Sequence, residues 1–329
     1  MLKDIPVYDI TTNVIVNNSL CPFFEGGYET WKSKRYYLKS NRVAERIVKE
    51  LHGEDTFFAR RRLSLSDCYW IKYDDDNVSF DAVTPYYTQF SKLAITSGHA
   101  PSSIPELVLC GAQPKEWRKA PDFIYMRKVD LPEKIHAEML AVKVLKEAEL
   151  SVMNSFVVTE KGKVFRVNYT EYNDNIGVIN IINFTNLDRS LIQFDQLGIG
   201  VDGFDPHSVI EAYKKCGCEK NNKLLQTVVN QLIADAVVGN IDRQHNNSNW
   251  AIFIDNNTGK RIPSWMYDFG WANLDSTNVH LEQISKNFDT TMQTLSRPLL
   301  TRLAEICRKY QLHTWKQNAE TLLKLFSVC

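Results

Sequence analysis

The sequence is short of features that announce a function. None of its seven cysteines, Cys21, Cys68, Cys110, Cys216, Cys218, Cys307 and Cys329, belongs to a C-x-x-C pair. That excludes a zinc ribbon and a thioredoxin-type redox site. The nearest approach, Cys216-Gly217-Cys218, reads as two ordinary thiols in a turn that ends a helix. Scattered thiols suit folding in a reducing compartment. Net charge is missing too: 39 Lys and Arg balance 39 Asp and Glu. A neutral chain has no global field for nucleic acid or an anionic membrane. The basic run Arg60-Arg61-Arg62 reads as a solvated turn. No apolar run approaches membrane-spanning length, and Met1-Leu2-Lys3-Asp4-Ile5-Pro6 lacks the apolar stretch of a signal peptide. A soluble protein made in the cytoplasm is expected. Internal repeats and low-complexity tracts are absent.

What is present is length and apolar content. The 329 residues are 44% apolar, enough for a packed core in one large two-lobed unit or two domains. Val43–Leu51 reads as a short helix. Tyr69–Tyr73 and Val78–Phe80 read as strands around the acidic turn Asp74-Asp75-Asp76. Three consecutive carboxylates cannot converge on one cation from a regular element, so that turn is assigned to solvent. A Ser/Pro-rich stretch, Ser97–Pro105, precedes a strand-like run, Leu107–Cys110, and the segment Gly111-Ala112-Gln113-Pro114-Lys115. A second strand is expected over Phe123–Val129, and an amphipathic helix over Lys134–Leu150, with Ile135, Met139, Val142 and Leu145 on one side. Strands are expected at Ser155–Thr159, Val164–Tyr169 and Val178–Phe184.

After about Thr185 the pattern turns mostly helical. Pro206–Cys216 is one expected helix, with Pro206 in its first turn. Lys223–Val238 is another, with a broad apolar face and Gly239 placed as its C-terminal cap. Trp250–Ile254 and Ser264–Tyr267 read as short strands, and helices close the chain near Pro298–Tyr310 and Thr314–Phe326. The layout predicts an α+β, bilobal fold of the protein-kinase type. Residues 1–184 would form a mixed, strand-rich N-terminal lobe and residues 185–329 a mainly helical C-terminal lobe. Residues 1–100 would be an extension of the first lobe.

Three segments carry chemistry. Between the helix ending at Gly239 and the strand starting at Trp250 lies the polar loop Asn240-Ile241-Asp242-Arg243-Gln244-His245-Asn246-Asn247-Ser248-Asn249. Phosphoryl transfer needs a carboxylate to orient and deprotonate an attacking hydroxyl, and an amide oxygen can complete a Mg²⁺ sphere. An Asn/Asp-rich connection that only caps a helix would read the same way, so this loop alone fits both. The second segment is Met266-Tyr267-Asp268-Phe269-Gly270-Trp271, one short hairpin downstream. There Asp268 would hold the metal bridging the ATP phosphates, Phe269 would pack beneath it, and Gly270 would let the chain turn. A bare Asp-Phe-Gly is a weak signal, but helix, polar loop, strand, turn, strand and Asp-Phe-Gly occur in the order of a kinase centre. The third lies upstream. Backbone N–H groups at Gly111 could reach phosphate oxygens, although a single glycine is weak and this is no G-x-G-x-x-G loop. Lys128 on the next strand would contact the α- and β-phosphates, and Glu138 on the next helix would pair with it. A surface lysine and a solvated glutamate are the blander alternatives.

These segments together resemble the HipA-like kinases, which have a protein-kinase-like fold. Leu109-Cys110-Gly111-Ala112-Gln113-Pro114-Lys115 resembles their nucleotide loop, and Ala137-Glu138-Met139-Leu140 resembles a helix start. Gly239-Asn240-Ile241-Asp242-Arg243 resembles the family's Gly-Asn-x-Asp-Arg-His segment. Tyr267-Asp268-Phe269-Gly270 resembles its Tyr-Asp-x-Gly. Leu63-Ser64-Leu65-Ser66-Asp67-Cys68-Tyr69-Trp70 is similar to a segment in the N-terminal part of some members. The resemblance implies ATP and Mg²⁺ as cofactors and a protein substrate phosphorylated on serine or threonine. It implies Asp242 as base, Asp268 as metal ligand, Lys128 on the phosphates, and the Gly111, Ala112, Gln113 and Lys115 loop over them. Delivery into a host cell is implied only through the family's translocating members.

The chain departs from the pattern in places. Its histidine, His245, stands one residue late. Counting from the base gives Asn247 as the second metal ligand, whereas anchoring on the strand gives Asn249, as if the loop carried two extra residues. Asn249 is preferred and Asn247 is kept as the alternative. Val108 stands where some members carry an autophosphorylated serine, with Ser102 and Ser103 out of register. Ser276 and Thr277 read as ordinary surface residues, and an adenine hinge is expected between Ile179 and Thr185. A small-molecule or lipid kinase, and a nucleotide-binding pseudokinase or regulatory module, are the competing functions.

Overall fold

The computed structural model describes residues 1–35, 66–75, 77–83, 115–119, 124–157, 165–167, 170–172, 177–182, 187–275 and 277–327. The expected helix at 43–51, the basic run at 60–62, the Ser/Pro-rich stretch at 97–105, the strand at 107–110 and most of the glycine loop lie outside them. So do Ser276 and residues 183–185 of the expected hinge.

A small hairpin, β1 (Tyr8–Asp9) with β2 (Val14–Ile15), is followed by helix α1 (Tyr28–Arg35). One turn, α2 (Phe80–Val83), comes later. The expected strands at Tyr69–Tyr73 and Val78–Phe80 do not form. Tyr69 makes a single bridge to Leu2, and Phe80 begins α2. Aromatic burial decides there: Tyr69, Trp70 and Phe80 enter the core without needing a ladder. Asp74 and Asp75 do form a turn.

Strands β3 (Lys115–Lys119) and β4 (Ile124–Asp130) pair antiparallel, with Lys115 opposite Lys128. Lys115 therefore opens a strand instead of closing a loop. Helix α3 (Pro132–Glu147) takes Pro132 at its start, where a missing N–H costs nothing. Then come β5 (Ser155–Val157), the hairpin β6 (Phe165–Val167) and β7 (Thr170–Tyr172), and β8 (Gly177–Ile182). One sheet has the order β3-β4-β8-β5.

The second sheet contains a strand the sequence pattern hid, β9 (Arg189–Gln193), in the part expected to be mostly helical. After it come α4 (Pro206–Lys215), α5 (Asn222–Val238) and the single turn α6 (Asp242–His245). Strands β10 (Ala251–Asp255) and β11 (Arg261–Pro263) complete an antiparallel sheet of order β11-β10-β9. The expected strand at Ser264–Tyr267 is thus displaced to β11. Its Met266 instead bridges Val152 in parallel, and Met266 N donates to Ser151 O at 2.9 Å. The chain ends with α7 (Leu281–Asn287), α8 (Thr290–Lys309) and α9 (His313–Leu325). Pro298 lies inside α8, not at a helix start. Among the described residues no helix is long and apolar enough to cross a membrane.

The first residues pack on the β9–β11 sheet. Leu191 N donates to Ser66 O at 2.7 Å, and Cys68 N donates to Ser190 Oγ at 3.1 Å. Arg261 donates to Cys21 O and, at 3.0 Å, to Cys216 O. Cys216 and Cys218 are buried free thiols around a left-handed Gly217. Leu2, Trp31, Tyr69 and Trp70 belong to the same core as α5, α8 and α9.

Helix α5 positions the site. Asn221 caps it by accepting from Leu224 N at 2.9 Å. Gly239 stops it with φ 71°, a conformation glycine adopts without steric cost. The loop after it rests on Gly203: a Cβ there would lie 2.4 Å from Gln244 Cα. Gly203→Ala must therefore displace backbone on one side. Its expected cost is about 2 kcal/mol, as for overpacking, read as a lower denaturation midpoint in urea.

Candidate active site

The site starts from a charge placed where the sequence is otherwise apolar. Asp235 sits in Leu232-Ile233-Ala234-Asp235-Ala236-Val237-Val238 and is fully buried. Burial pushes its pKa up, and the Arg243 guanidinium opposes that. Arg243, itself buried, donates from Nε to Asp235 Oδ2 at 2.7 Å. Its other two nitrogens reach the backbone on both sides: Nη1 to Asn249 O at 2.5 Å and Nη2 to Tyr267 O at 2.7 Å. Asn240 completes the net, with Nδ2 3.2 Å from Asp235 Oδ1 and 3.3 Å from Asp268 O. A planar, permanently charged fork suits this three-way bridging; a lysine could not span it. Asp235, Asn240 and Arg243 thus hold three segments in one arrangement. Sequence reading did not assign them roles. The signal was the lone acid in an apolar helix, eight positions before an arginine.

Above this net stands Asp242, in the first turn of α6. Asn249 Nδ2 donates to Asp242 Oδ2 at 2.6 Å. Asn247 faces elsewhere: its Oδ1 accepts from Val201 N at 3.2 Å. The two candidates are therefore separated by geometry, and only Asn249 joins Asp242. Asn247–Asn249 form a 3-10 turn capped by Asn246 Oδ1, which accepts from Ser248 N at 3.1 Å. His245 is exposed and its ring meets Phe204 edge-on at 5.3 Å.

Lys128 and Glu138 are both about 1% exposed, so the blander surface readings of these residues fail. Lys128 Nζ lies 3.0 Å from Glu138 Oε2 and 3.0 Å from Asp268 Oδ1. Burial alone would depress the lysine pKa. The carboxylates of Asp268 and Glu138 outweigh it and raise the pKa, so the ammonium stays charged. Burial pushes the Glu138 pKa up, with Lys128 opposing.

Asp268 adopts φ 57°. Aspartate visits this left-handed region at a cost of about 1 kcal/mol, helped by its short polar side chain. Gly270 is needed beside it. A Cβ there would come 2.7 Å from Lys128 Nζ and 3.5 Å from Asp268 Oδ1. Trp271, next along, is 58% exposed.

The donor chemistry suits a hard cation. Asp268 offers a carboxylate on a side chain 32% exposed. Asn249 uses the nitrogen end of its amide on Asp242, which leaves the oxygen end for another partner. Among the described residues no group of three or more His, Cys, Asp or Glu forms a complete metal cage. Two oxygen donors with the remaining positions left to phosphate and water is how magnesium is commonly held. Of the remaining expected residues, Lys115 has its backbone opposite Lys128 on β3. Gly111, Ala112 and Gln113 lie outside the described residues.

Solved structures similar to this chain include two at low identity. One is CtkA, a proinflammatory kinase of Helicobacter pylori, at 15% identity and TM-score 0.46, covering 65% of this chain and 94% of that chain. Another is HipA of the Shewanella oneidensis MR-1 toxin–antitoxin system, determined with HipB and operator DNA. It has 11% identity and TM-score 0.49, covering 90% of this chain and 79% of that chain. No protein-family model and no curated protein matches the chain.

The buried pair makes a stability prediction. Asp235→Asn leaves the Arg243 guanidinium uncompensated in the core, at an expected cost of about 3 kcal/mol. Arg243→Met combined with Asp235→Asn should cost less than the sum of the single changes. A double-mutant cycle in urea checks this; additive costs would show that the pair is not coupled.

Proposed function

We propose that the chain is an ATP- and Mg²⁺-dependent protein kinase that transfers the γ-phosphate to a serine or threonine hydroxyl, itself included among its acceptors. The observation that carries the reading is the convergence of Lys128 on Glu138 and Asp268, 3.0 Å from each, together with a second carboxylate, Asp242, paired to Asn249 on the loop that Arg243 joins to Tyr267. A structural ion pair needs one partner. A lysine shared by two carboxylates, one of them part-exposed, suits a site that receives polyanionic phosphate. In this reading the fold is a two-lobed kinase, with residues 1–184 and 185–329 as its lobes.

Each residue then has a task. Lys128 binds the α- and β-phosphates and is kept charged by Glu138. The glycine loop, with Gly111, Ala112, Gln113 and Lys115, covers the nucleotide. Asp268 and Asn249 would hold Mg²⁺, which when bound neutralises charge developing on the phosphoryl group. Asp242 orients the acceptor hydroxyl and takes its proton as the acceptor oxygen bonds to the γ-phosphorus. The bond from that phosphorus to the bridging oxygen breaks, and ADP leaves. Asn249 steadies the Asp242 carboxylate through its 2.6 Å hydrogen bond.

Mass spectrometry after incubation with ATP and Mg²⁺ tests this directly. Phosphoserine or phosphothreonine on the protein or on an added protein substrate is expected, and Asp242→Ala should slow its formation about 10²-fold or more. Asp268→Ala should abolish it. Phosphate transfer unchanged in both variants would remove the assigned roles. Transfer to free alcohols alone would shift the function to a small-molecule kinase, and no thermal shift with nucleotide would indicate a non-catalytic module.

A further inference from the structure

The tyrosine before Asp268 is tied to the neighbouring loop at both ends. Its hydroxyl donates to Ser248 O at 2.7 Å, and Gln193 Nε2 donates to the same oxygen at 2.7 Å. Its own carbonyl accepts from Arg243 Nη2 at 2.7 Å, while Nη1 of the same guanidinium holds Asn249 O at 2.5 Å. Ser248 O and Asn249 O belong to the two peptide planes that flank the Asn249 Cα. Both planes are thus fixed, one directly by Tyr267 and one through Arg243. Two planes held on either side leave the Asn249 backbone no freedom to swing. Tyr267 meanwhile is covalently next to Asp268.

We propose that Tyr267 is a positioning residue that sets the separation between Asn249 and Asp268, and so the affinity of the pair for a divalent cation. The proposal rests on the function above. The Ser248 carbonyl has two donors, the Tyr267 hydroxyl and Gln193 Nε2, and of these only the hydroxyl ties the 3-10 turn to the segment that carries Asp268. The hydroxyl donates to the loop that carries Asn249. The ring packs with Ile135, Met153, Leu191, Ala251 and Phe253, contacts that phenylalanine keeps.

The test is Tyr267→Phe, with Tyr213→Phe as control. Tyr213 is also a buried tyrosine, but its hydroxyl donates to Gln231 Oε1 at 3.2 Å and not to the loop that carries Asn249. Binding of Mn²⁺, a paramagnetic stand-in for Mg²⁺, is followed by electron spin resonance with a non-hydrolysable ATP analogue present. The same analogue is titrated without metal by calorimetry. For Tyr267→Phe the expected result is metal affinity lowered about 10-fold, in the range seen when a group supporting a metal ligand is removed. Metal-free nucleotide affinity should stay as in the parent, the melting temperature should fall no further than in Tyr213→Phe, and Tyr213→Phe should bind metal normally. Unchanged metal affinity in Tyr267→Phe overturns the proposal. So does an equal loss of metal and metal-free nucleotide binding, or the same loss in Tyr213→Phe, since each marks general loosening. If the parent protein itself binds no metal with the analogue, the function proposed above fails and this inference goes with it.

Discussion

The site depends on one buried ion pair. Asp235 and Arg243, 2.7 Å apart, are costly to bury and are not explained as a source of net stability. Their value is geometric. Once Asp235 orients the guanidinium, its remaining donors have fixed directions, and those directions select Asn249 O and Tyr267 O. The end of helix α5, the loop holding Asp242 and the segment holding Asp268 thereby become one unit. Trp250 Nε1 adds a bond to Arg243 O at 2.7 Å, so the residue that clamps the others is itself clamped. An apolar pair of the same volume could fill this space but could not specify the register of three segments.

A second constraint runs between α3, β4 and the segment after β11. Lys128 is the only group that touches both Glu138 and Asp268 in the described ion pairs. Its position requires β4 to carry it inward, α3 to present Glu138 on its buried side, and Gly270 to leave room. Each requirement falls on a different element. The parallel bridge Val152–Met266 helps align them, because it joins the chain after α3 to the approach to Asp268. Changes in how α3 lies would therefore be felt at Asp268 through two routes, the lysine and the bridge.

Much of this was legible in the sequence. The helix before the polar loop, its glycine cap, α3 and α9 follow from apolar periodicity and capping, which are local properties. Lys128, Glu138, Asp242 and Asp268 stand out by type and order, and the structure brings Lys128 to Glu138 and Asp268. Their roles remain with the proposal. What escaped was non-local. Strand β9 has its three middle residues buried and its ends half-buried, a short run that cannot be told from helix by periodicity. Tyr69, Trp70 and Phe80 looked like strand because aromatic residues favour strands, yet here they serve as core residues in irregular backbone. Pro298 looked like a helix start and lies inside α8. Anchoring on the strand favoured Asn249 over Asn247; the structure pairs Asn249 with Asp242 and turns Asn247 to Val201 N, and the metal role stays with the proposal.

The opening residues of the chain have a consequence of a different kind. Their partners lie far along the sequence: Arg261 reaches Cys21 O across 240 positions, and Gly259 passes so close to Ser19 O that a Cβ would approach it to 2.4 Å. A ribosome releases Leu2, Phe23, Tyr28 and Trp31 long before it makes the surface that buries them. Until then these apolar side chains, three of them aromatic, must wait in water, open to wrong associations. Contacts so distant in sequence also slow the search for the native state. These opening residues, made before their partners at 190–261, are thus among the last of the described residues that can settle.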